Sequence, residues 1–451
     1  MLFNLLQAAV DTTAIAQAAP LQQEMKLSLI DMAVKGGWLM IVLLLLSILA
    51  IYIFGSKWWM IRKASKIDKN FMKDIHDLIH ERKIKSATAL CQKYDSPVAR
   101  LVEKGIERII ITRQKKMEKT SNILITGATG FIGGFIVDKA LAEGMNVWVA
   151  VRQTSSRRYP QDQRINSLYP DFDDCRQTTD PMSGLRFDYV GHAAGVTKCI
   201  HAADFYRVNT QGTRNLVDTL LALKMPLKRF VFVSSLSVVG NVREDYPHKD
   251  ILATDTPCPN TNYGRSKLES EHYLDDLTRR GLLPCVTLRP TGVYGPRERD
   301  YFIMAKSIKG HVDFAAGYKQ QTLTFIYVLD VVQAIFLALD HGQTGSKYFL
   351  SDGNNYSSRD FSDLIRRELG NPWLIRIKAP IWLLRVVTFI GEYVGRATGK
   401  ISALNNDKYH IMKQRNWRCD ISPARNELGF APEYDLDRGV TETIKWYKDN
   451  K

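Results

Sequence analysis

The 451-residue chain has only six cysteines, Cys91, Cys175, Cys199, Cys258, Cys285 and Cys419, with no Cys-x-x-Cys pair among them. This scatter excludes a disulfide framework and a zinc site, and it suits reduced thiols in a cytosolic compartment. No metal is expected. Internal repeats and low-complexity tracts are also absent. Zinc-finger spacings and basic-aromatic RNA motifs are missing too, so the net charge of +15 does not indicate nucleic-acid binding. That charge is concentrated: Lys57–Lys119 holds 17 basic and 8 acidic residues. A basic segment beside an apolar run points to anionic lipid headgroups.

The apolar run is residues 38–54, which carry no charge. Counted from Met32, with Lys35 snorkelling, or on to Met60, it is long enough to span a bilayer. The expectation is one transmembrane helix at about 34–58. Trp38, Trp58 and Trp59 stand where interfacial aromatics belong. Arg62, Lys63, Lys66 and Lys69 follow it, against Lys26 and Lys35 before it, so the positive-inside bias puts the C-terminal side in the cytoplasm. The run starts too late for a cleaved signal peptide and lacks a basic n-region. Residues 64–110 then carry Phe71, Ile75, Leu78, Ile79, Val98, Leu101, Val102 and Ile106 at helical spacing, which reads as short amphipathic helices. The stretches Gly36-Gly-Trp-Leu-Met-Ile-Val-Leu-Leu-Leu-Leu-Ser-Ile-Leu-Ala-Ile-Tyr52 and Cys91-Gln-Lys-Tyr-Asp-Ser-Pro-Val-Ala-Arg100 resemble the start of a MotA/TolQ/ExbB proton-channel subunit. Such subunits carry further membrane helices along the proton path, and no second span follows here, so the resemblance implies an anchor rather than a channel.

The character of the sequence changes near Met117, and Met117-Glu-Lys-Thr-Ser-Asn reads like the natural start of a soluble enzyme. A true fusion and a joining of two neighbouring genes are both compatible with this break. With the first part translated, the expected location is the inner membrane with the second part in the cytoplasm; starting at Met117, the chain is soluble and cytoplasmic. From 122 onward, strand-like runs at 122–126, 146–151, 187–193, 229–234 and 284–289 alternate with helical runs such as 132–143, 209–223 and 263–280. That alternation predicts a parallel sheet with helices on both faces. A third strand, expected between about 163 and 172, is weak.

Gly127, Gly130 and Gly133 form Gly-x-x-Gly-x-x-Gly directly after the first strand and at the opening of a helix at Phe131. Such a turn lets backbone approach a pyrophosphate, which free amides and the helix dipole then hold. The second strand ends Trp148-Val-Ala-Val-Arg152, without the carboxylate that would favour NAD and with Arg157 and Arg158 close behind. Guanidinium groups there suit the extra phosphate of NADP; NAD stays possible. Tyr263 and Lys267 share one helical face. An ammonium beside a phenol, together with a positive nicotinamide ring, would lower the phenol's pKa and let it exchange a proton while hydride moves at carbon. Ser235 or Ser237, at the end of the strand Arg229-Phe-Val-Phe-Val233, could hydrogen-bond the same substrate oxygen.

These segments, with His192-Ala-Ala-Gly195, Asn209-Thr-Gln-Gly-Thr-Arg-Asn-Leu216 and Leu288-Arg-Pro-Thr-Gly-Val-Tyr-Gly-Pro296, resemble the extended short-chain dehydrogenase/reductases, a group that includes the NAD-dependent epimerase/dehydratases. The resemblance covers about 117–451. It implies that Ser235 polarises the substrate oxygen, Tyr263 is the acid/base, and Lys267 also holds the nicotinamide ribose. It further implies a dinucleotide held by Gly127, Thr129, Gly130, Phe131, Ile132 and Gly133, by Arg152, by Ala193, Ala194 and Gly195, and by Pro290 and Val293. Asp171 and Asp173 are candidates for the adenine side. Where sugar-nucleotide members carry an arginine that grips a diphosphate, Leu323 stands here, which speaks against that substrate class. Ile381, Leu384, Val387, Phe389, Ile390 and Val394 exceed one core stripe, as a lipophilic pocket or a membrane-facing helix would require. Asn416-Trp-Arg-Cys-Asp420 and Glu427-Leu-Gly-Phe-Ala-Pro432 add a likeness to the 3β-hydroxysteroid dehydrogenase branch.

The expectation is therefore an α/β chain. A Rossmann-type doubly wound parallel sheet carries a smaller C-terminal substrate domain, and one transmembrane helix with short amphipathic helices precedes it. The expected divisions are a membrane-anchoring fragment at 1–116, an NAD(P)-binding domain at 117–288 and a mainly substrate-binding domain at 289–451. The expected activity interconverts a secondary alcohol and a ketone on a small apolar, sterol-like molecule. A nucleotide-sugar epimerase or dehydratase is the alternative enzyme, and a truncated transport subunit the alternative of another class. A homodimer is left open, and no nucleic-acid partner is expected.

Overall fold

The structure is a computed structural model, which describes residues 37–64, isolated helical positions between 71 and 104, and 121–450 apart from 155–160, 175–177, 400–401 and 403–404. The chain divides into two compact units, Met1–Gln114 and Lys115–Lys451.

In the first unit, α1 runs over Gly37–Ala64. Among the described residues, no helix is long and apolar enough to cross a membrane, so the expected span at 34–58 finds no support in the structure. Phe71 and Ile75 are helical and buried, and Val102 is helical and partly buried; Leu78, Ile79, Val98, Leu101 and Ile106, and most of the second stretch resembling a proton-channel subunit, 91–100, lie outside the described residues.

The second unit is built on eleven described strands: β1 (Asn122–Thr126), β2 (Asn146–Ala150), β3 (Asn166–Leu168), β4 (Tyr189–His192), β5 (Arg229–Val233), β6 (Cys285–Pro290), β7 (Gly292–Tyr294), β8 (Val312–Ala316), β9 (Phe325–Tyr327), β10 (Lys347–Leu350) and β11 (Ile375–Ala379). Seven of them form one parallel sheet in the order β10-β6-β5-β4-β1-β2-β3. Side chains of β1 alternate between its faces. Ile123 and Ile125 join Ile136 and Val137 of α2 (Phe131–Ala142), while Leu124 joins Leu216 and Leu220 of α3 (Gly212–Ala222) and Leu274 and Leu277 of α4 (Asn262–Arg279). Both faces are covered, so the strands read as continuous apolar runs. The strand order reverses at β1 and β4, with β2 and β3 added on one side and β4, β5 and β6 on the other, which opens a crevice at their carboxyl ends.

Strand β3 is only three residues long, in keeping with its weak sequence signal. The sheet does not stop at the expected border after residue 288. Strand β10 pairs with β6, and Val331 and Ile335 of α6 (Val328–His341) pack in the same core as β1. The smaller lobe holds the pairs β7–β9 and β8–β11, with α5 (Asp300–Lys309), α7 (Asp360–Glu368) and α11 (Leu436–Asp449). Its core centres on Tyr294, Phe325, Phe361 and Ile444. Helices α8 (Ile381–Thr398) and α9 (Asn406–Lys413) follow, and α10 (Ser422–Leu428) returns to the core of the main sheet through Ala424 and Leu428.

Candidate active site

The glycine turn closes at the carboxyl end of β1. Gly127 takes a left-handed φ of 72°, which a side chain rarely adopts, and its carbonyl accepts the Gly130 N–H at 2.8 Å. A Cβ on Gly133 would lie 2.0 Å from the Gly127 oxygen, and one on Gly127 would lie 2.7 Å from the Ala194 nitrogen. Backbone therefore occupies the space that side chains would need. Helix α2 opens from Gly130 with no side-chain cap, leaving its first amides directed at the crevice. This cradle fits a dinucleotide pyrophosphate. Thr129, Phe131 and Ile132 lie along it and are partly buried. Arg152 is exposed in the turn after β2, where no carboxylate stands; Arg157 and Arg158 lie outside the described residues.

The loop after β4, which carries Ala193, Ala194 and Gly195, is fixed by a buried relay. Ala194 N–H donates to Thr126 Oγ1 (3.2 Å), and Thr126 Oγ1 lies 2.6 Å from His192 Nδ1. His192 Nε2 lies 2.8 Å from Thr213 Oγ1, whose hydroxyl donates to the Asn209 carbonyl at 2.6 Å. Thr213 has one proton and spends it on that carbonyl, so His192 must donate from Nε2 and accept at Nδ1. Burial, and then the Lys267 charge, push this imidazole's pKa down to about 3, which keeps it neutral. Asn209 sits in a π turn, Tyr206–Gln211, that reaches α3. Its Oδ1 accepts the Val196 N–H (2.8 Å) and its Nδ2 donates to Ser266 Oγ (2.9 Å), tying the loop to α4.

Helix α4 brings Tyr263 and Lys267 to the same crevice. Its first amides are taken by Thr261 Oγ1, which accepts Gly264 N–H (2.9 Å), and by Asp407 of α9. Asp407 accepts from Asn262 N–H (3.1 Å) and Tyr263 N–H (3.0 Å). Lys267 is 4% exposed and donates to the Val233 carbonyl at 2.9 Å, with its ammonium 4.7 Å above the Phe232 ring. Burial pulls its pKa down to about 8, while Glu271 works against that shift. A Cβ on Gly195 would meet Lys267 Nζ at 3.2 Å, so loop and ammonium adjoin.

Burial pushes Tyr263 up to about 12, and the force pulling it down is a hydrogen bond with Ser235, not the Lys267 charge. The ammonium is engaged by backbone and set against an aromatic face instead. Ser235 ends β5, and its Oγ also accepts the Ser237 N–H at 3.1 Å. Ser237 is buried. Ser235, Tyr263 and Lys267 thus converge at the strand ends beside the glycine cradle, with Pro290 ending β6 and Val293 in β7.

Other motif residues build the frame. Arg289 pairs with Glu271 at 2.5 Å, both nearly inaccessible, and Ser234 Oγ donates to the same carboxylate at 2.5 Å. Burial alone would raise Glu271; Arg289 outweighs it and holds the carboxyl below its usual range. Asp173 is paired with Arg207 at 2.6 Å, and Asp171 accepts Asp173 N–H. Leu323 packs against the apolar core of the smaller lobe. Sequence reasoning gave no role to Asp407, which lies 144 positions beyond Tyr263 with no pattern linking them. It also missed the locking roles of His192 and Asn209, although both lie in segments that had been noted.

Residues 123–350 match the family model described as the NAD dependent epimerase/dehydratase family. The UDP-glucose 4-epimerase of Vibrio cholerae is 29% identical over 346 residues, covering 74% of this chain and 97% of that protein. The 3 beta-hydroxysteroid dehydrogenase/Delta 5-->4-isomerase of Mycobacterium tuberculosis is 25% identical over 349 residues, covering 72% of this chain and 90% of that protein. Among solved structures, the Thermus thermophilus UDP-glucose 4-epimerase in complex with NAD superposes with a TM-score of 0.60 at 21% identity, covering 73% of this chain and all of that one, a likeness of fold.

Proposed function

This chain belongs to the NAD dependent epimerase/dehydratase family, and within it we propose an NAD(P)-dependent oxidoreductase that interconverts a secondary alcohol and a ketone on an apolar, sterol-like substrate. The observation that carries this reading is the hydroxyl pair Ser235–Tyr263, set beside Lys267 at the mouth of the glycine cradle.

A bound nicotinamide dinucleotide would supply the hydride donor or acceptor. Gly127, Thr129, Gly130, Phe131, Ile132 and Gly133 would hold its pyrophosphate, Arg152 the adenosine end, and Ala193, Ala194, Gly195, Pro290 and Val293 the nicotinamide side. Lys267 would hold the adjoining ribose. Ser235 orients the substrate oxygen with its hydroxyl. Tyr263 exchanges the proton at that oxygen. With its pKa near 12 the phenol is protonated at neutral pH, so it is ready to donate to a carbonyl oxygen and must lose its own proton before it can accept one from an alcohol. The exposed Arg152 and the absent carboxylate favour NADP, while the relative of similar fold was solved with NAD.

Two features support an apolar substrate: Leu323 in the core where an anion-gripping arginine would stand, and the steroid dehydrogenase among the relatives. A nucleotide-sugar epimerase is the second reading, favoured by the 29% identity to the Vibrio cholerae enzyme. We further propose residues 34–58 as a membrane tether for the catalytic unit. Steady-state assays with NAD and NADP, run in parallel on sterol alcohols and on UDP- and dTDP-sugars, test the assignment. The expected result is net nicotinamide reduction with the sterols, abolished about 10³-fold in Tyr263→Phe with dinucleotide affinity kept. Sugar inversion with no net change in the nicotinamide would overturn it.

A further inference from the structure

Helix α8 is built the wrong way round for water. Its inward positions are Ile381, Leu384, Thr388, Gly391 and Gly395, three of them small or polar. Its outward positions are Trp382, Leu383, Val386, Val387, Phe389, Ile390, Tyr393 and Val394, each between 39% and 72% exposed. The larger side chains therefore face out, whereas a helix on a soluble surface directs them to the core. The strand leading into it behaves alike. In the register of β11 with β8, Ile375, Ile377 and Phe314 share one face and all three are exposed. Trp373, which precedes β11, and Tyr318, which follows β8, are also exposed. Exposed apolar side chains in this number, on two elements that follow one another directly in the chain, are far more than scattered surface residues.

The charge around it has one dominant sign. Residues 373–399 contain Arg376, Lys378, Arg385 and Arg396 against a single acid, Glu392. Arg385 and Arg396 lie along one border of the apolar face of α8, on long stems that can lie against hydrocarbon while the guanidinium reaches headgroups. Trp373, Trp382 and Tyr393 supply the aromatic rings that settle at a membrane–water boundary. Arg396 pairs with Glu392 at 2.5 Å and Arg376 with Asp363, so the border carries a net positive charge and not an unbroken one; an anionic lipid surface fits that net sign.

We propose that α8, with the outer face of β8–β11, docks flat on a bilayer bearing anionic lipids. Helix α8 is linked to the catalytic helix through α9: Glu392 accepts the Asn406 N–H at 3.3 Å, and the next residue, Asp407, holds the Tyr263 amide. A substrate dissolved in the lipid would thus reach the site without crossing water, a consequence that rests on the sterol-like reading, whereas the docking itself does not.

The test places an environment-sensitive fluorophore on the full chain at Phe389→Cys, with Glu143→Cys as a control at the amino-terminal edge of the sheet and the unsubstituted chain as labelling background. Each is mixed with phosphatidylcholine–phosphatidylglycerol vesicles carrying a spin-labelled acyl chain. The label at 389 is expected to shift to the blue and lose most of its emission, the label at 143 to keep its own, and the effect at 389 to weaken in phosphatidylcholine alone or in Arg385→Gln/Arg396→Gln. A 389 label that stays in water on vesicle-bound protein would overturn the proposal. So would one already shielded without lipid, which would mean that a second copy or another part of this chain covers the face. Neither result depends on turnover, so a failed substrate assignment leaves this measurement intact.

Discussion

The crevice at the strand ends and the outer face of α8 handle burial in opposite ways. In the crevice, polar groups that ordinarily seek water are buried, and each is paired: His192 between two threonines, Asn209 between a loop amide and Ser266, Lys267 on a carbonyl, Glu271 on Arg289. On α8, large apolar groups that ordinarily seek the interior stand outside. Burying polar groups is costly unless every one is hydrogen-bonded, and exposing apolar ones is costly unless the surroundings are not water. The first region therefore encodes fixed geometry and the second encodes a surrounding medium.

The sharpest way to break the crevice is to fill its backbone cradle. In Gly133→Ala the new methyl would lie 2.0 Å from the Gly127 oxygen, which only a backbone shift relieves. Dinucleotide affinity should fall by two orders of magnitude or more, roughly 3 kcal/mol, by calorimetric titration. Asp407→Asn comes next. It keeps the shape of the α4 anchor and removes its charge, so kcat should drop by about tenfold, with dinucleotide affinity changed less, as befits the weakening of charge-assisted bonds worth ~1.5–3 kcal/mol. Equal loss in kcat and dinucleotide affinity would mean that the anchor serves the whole fold and not the tyrosine.

His192 sharpens the same side by its pH behaviour. Its folded pKa, about 3, lies below the ordinary 6.5, so between these values the unfolded chain binds a proton that the folded chain refuses. Stability should consequently fall as pH drops through that window, by up to ~1.4 kcal/mol per pH unit from this one group. In His192→Gln the denaturation midpoint should vary less steeply with pH from 6.5 downward; an unchanged slope would mean that the imidazole charges in place. The smallest effect belongs to the other region. Phe389→Ala, at a site 72% exposed, should move stability by only about 0.5 kcal/mol, whereas Leu384→Ala, facing inward on the same helix, should cost about 2–3 kcal/mol. Comparable losses in urea denaturation would erase the contrast between the two sides of α8.

Most of the sheet could be read from the sequence because its strands are buried on both faces, which makes each an apolar run between turn signals. The glycine turn could be read because positive φ and close backbone approach leave only one residue type. What escaped shares one cause, which is long-range pairing. Nothing in Asn406-Asp407-Lys408 announces a helix anchor for Tyr263, and no spacing shows that Lys267 spends its proton donors on Val233. The enclosure of the phenol was hidden for the same reason: the four-residue spacing places an amine nearby, while burial depends on elements far along the chain. The contribution of β10 to the main sheet was hidden likewise, since 347–350 lies between strands of another lobe.

The clamp of Asp407 on the start of α4 also has a temporal side. A nascent polypeptide exposes its tyrosine and lysine long before the ribosome reaches the aspartate that seats them. Copies that stop short of that aspartate hold their reactive pair without its anchor.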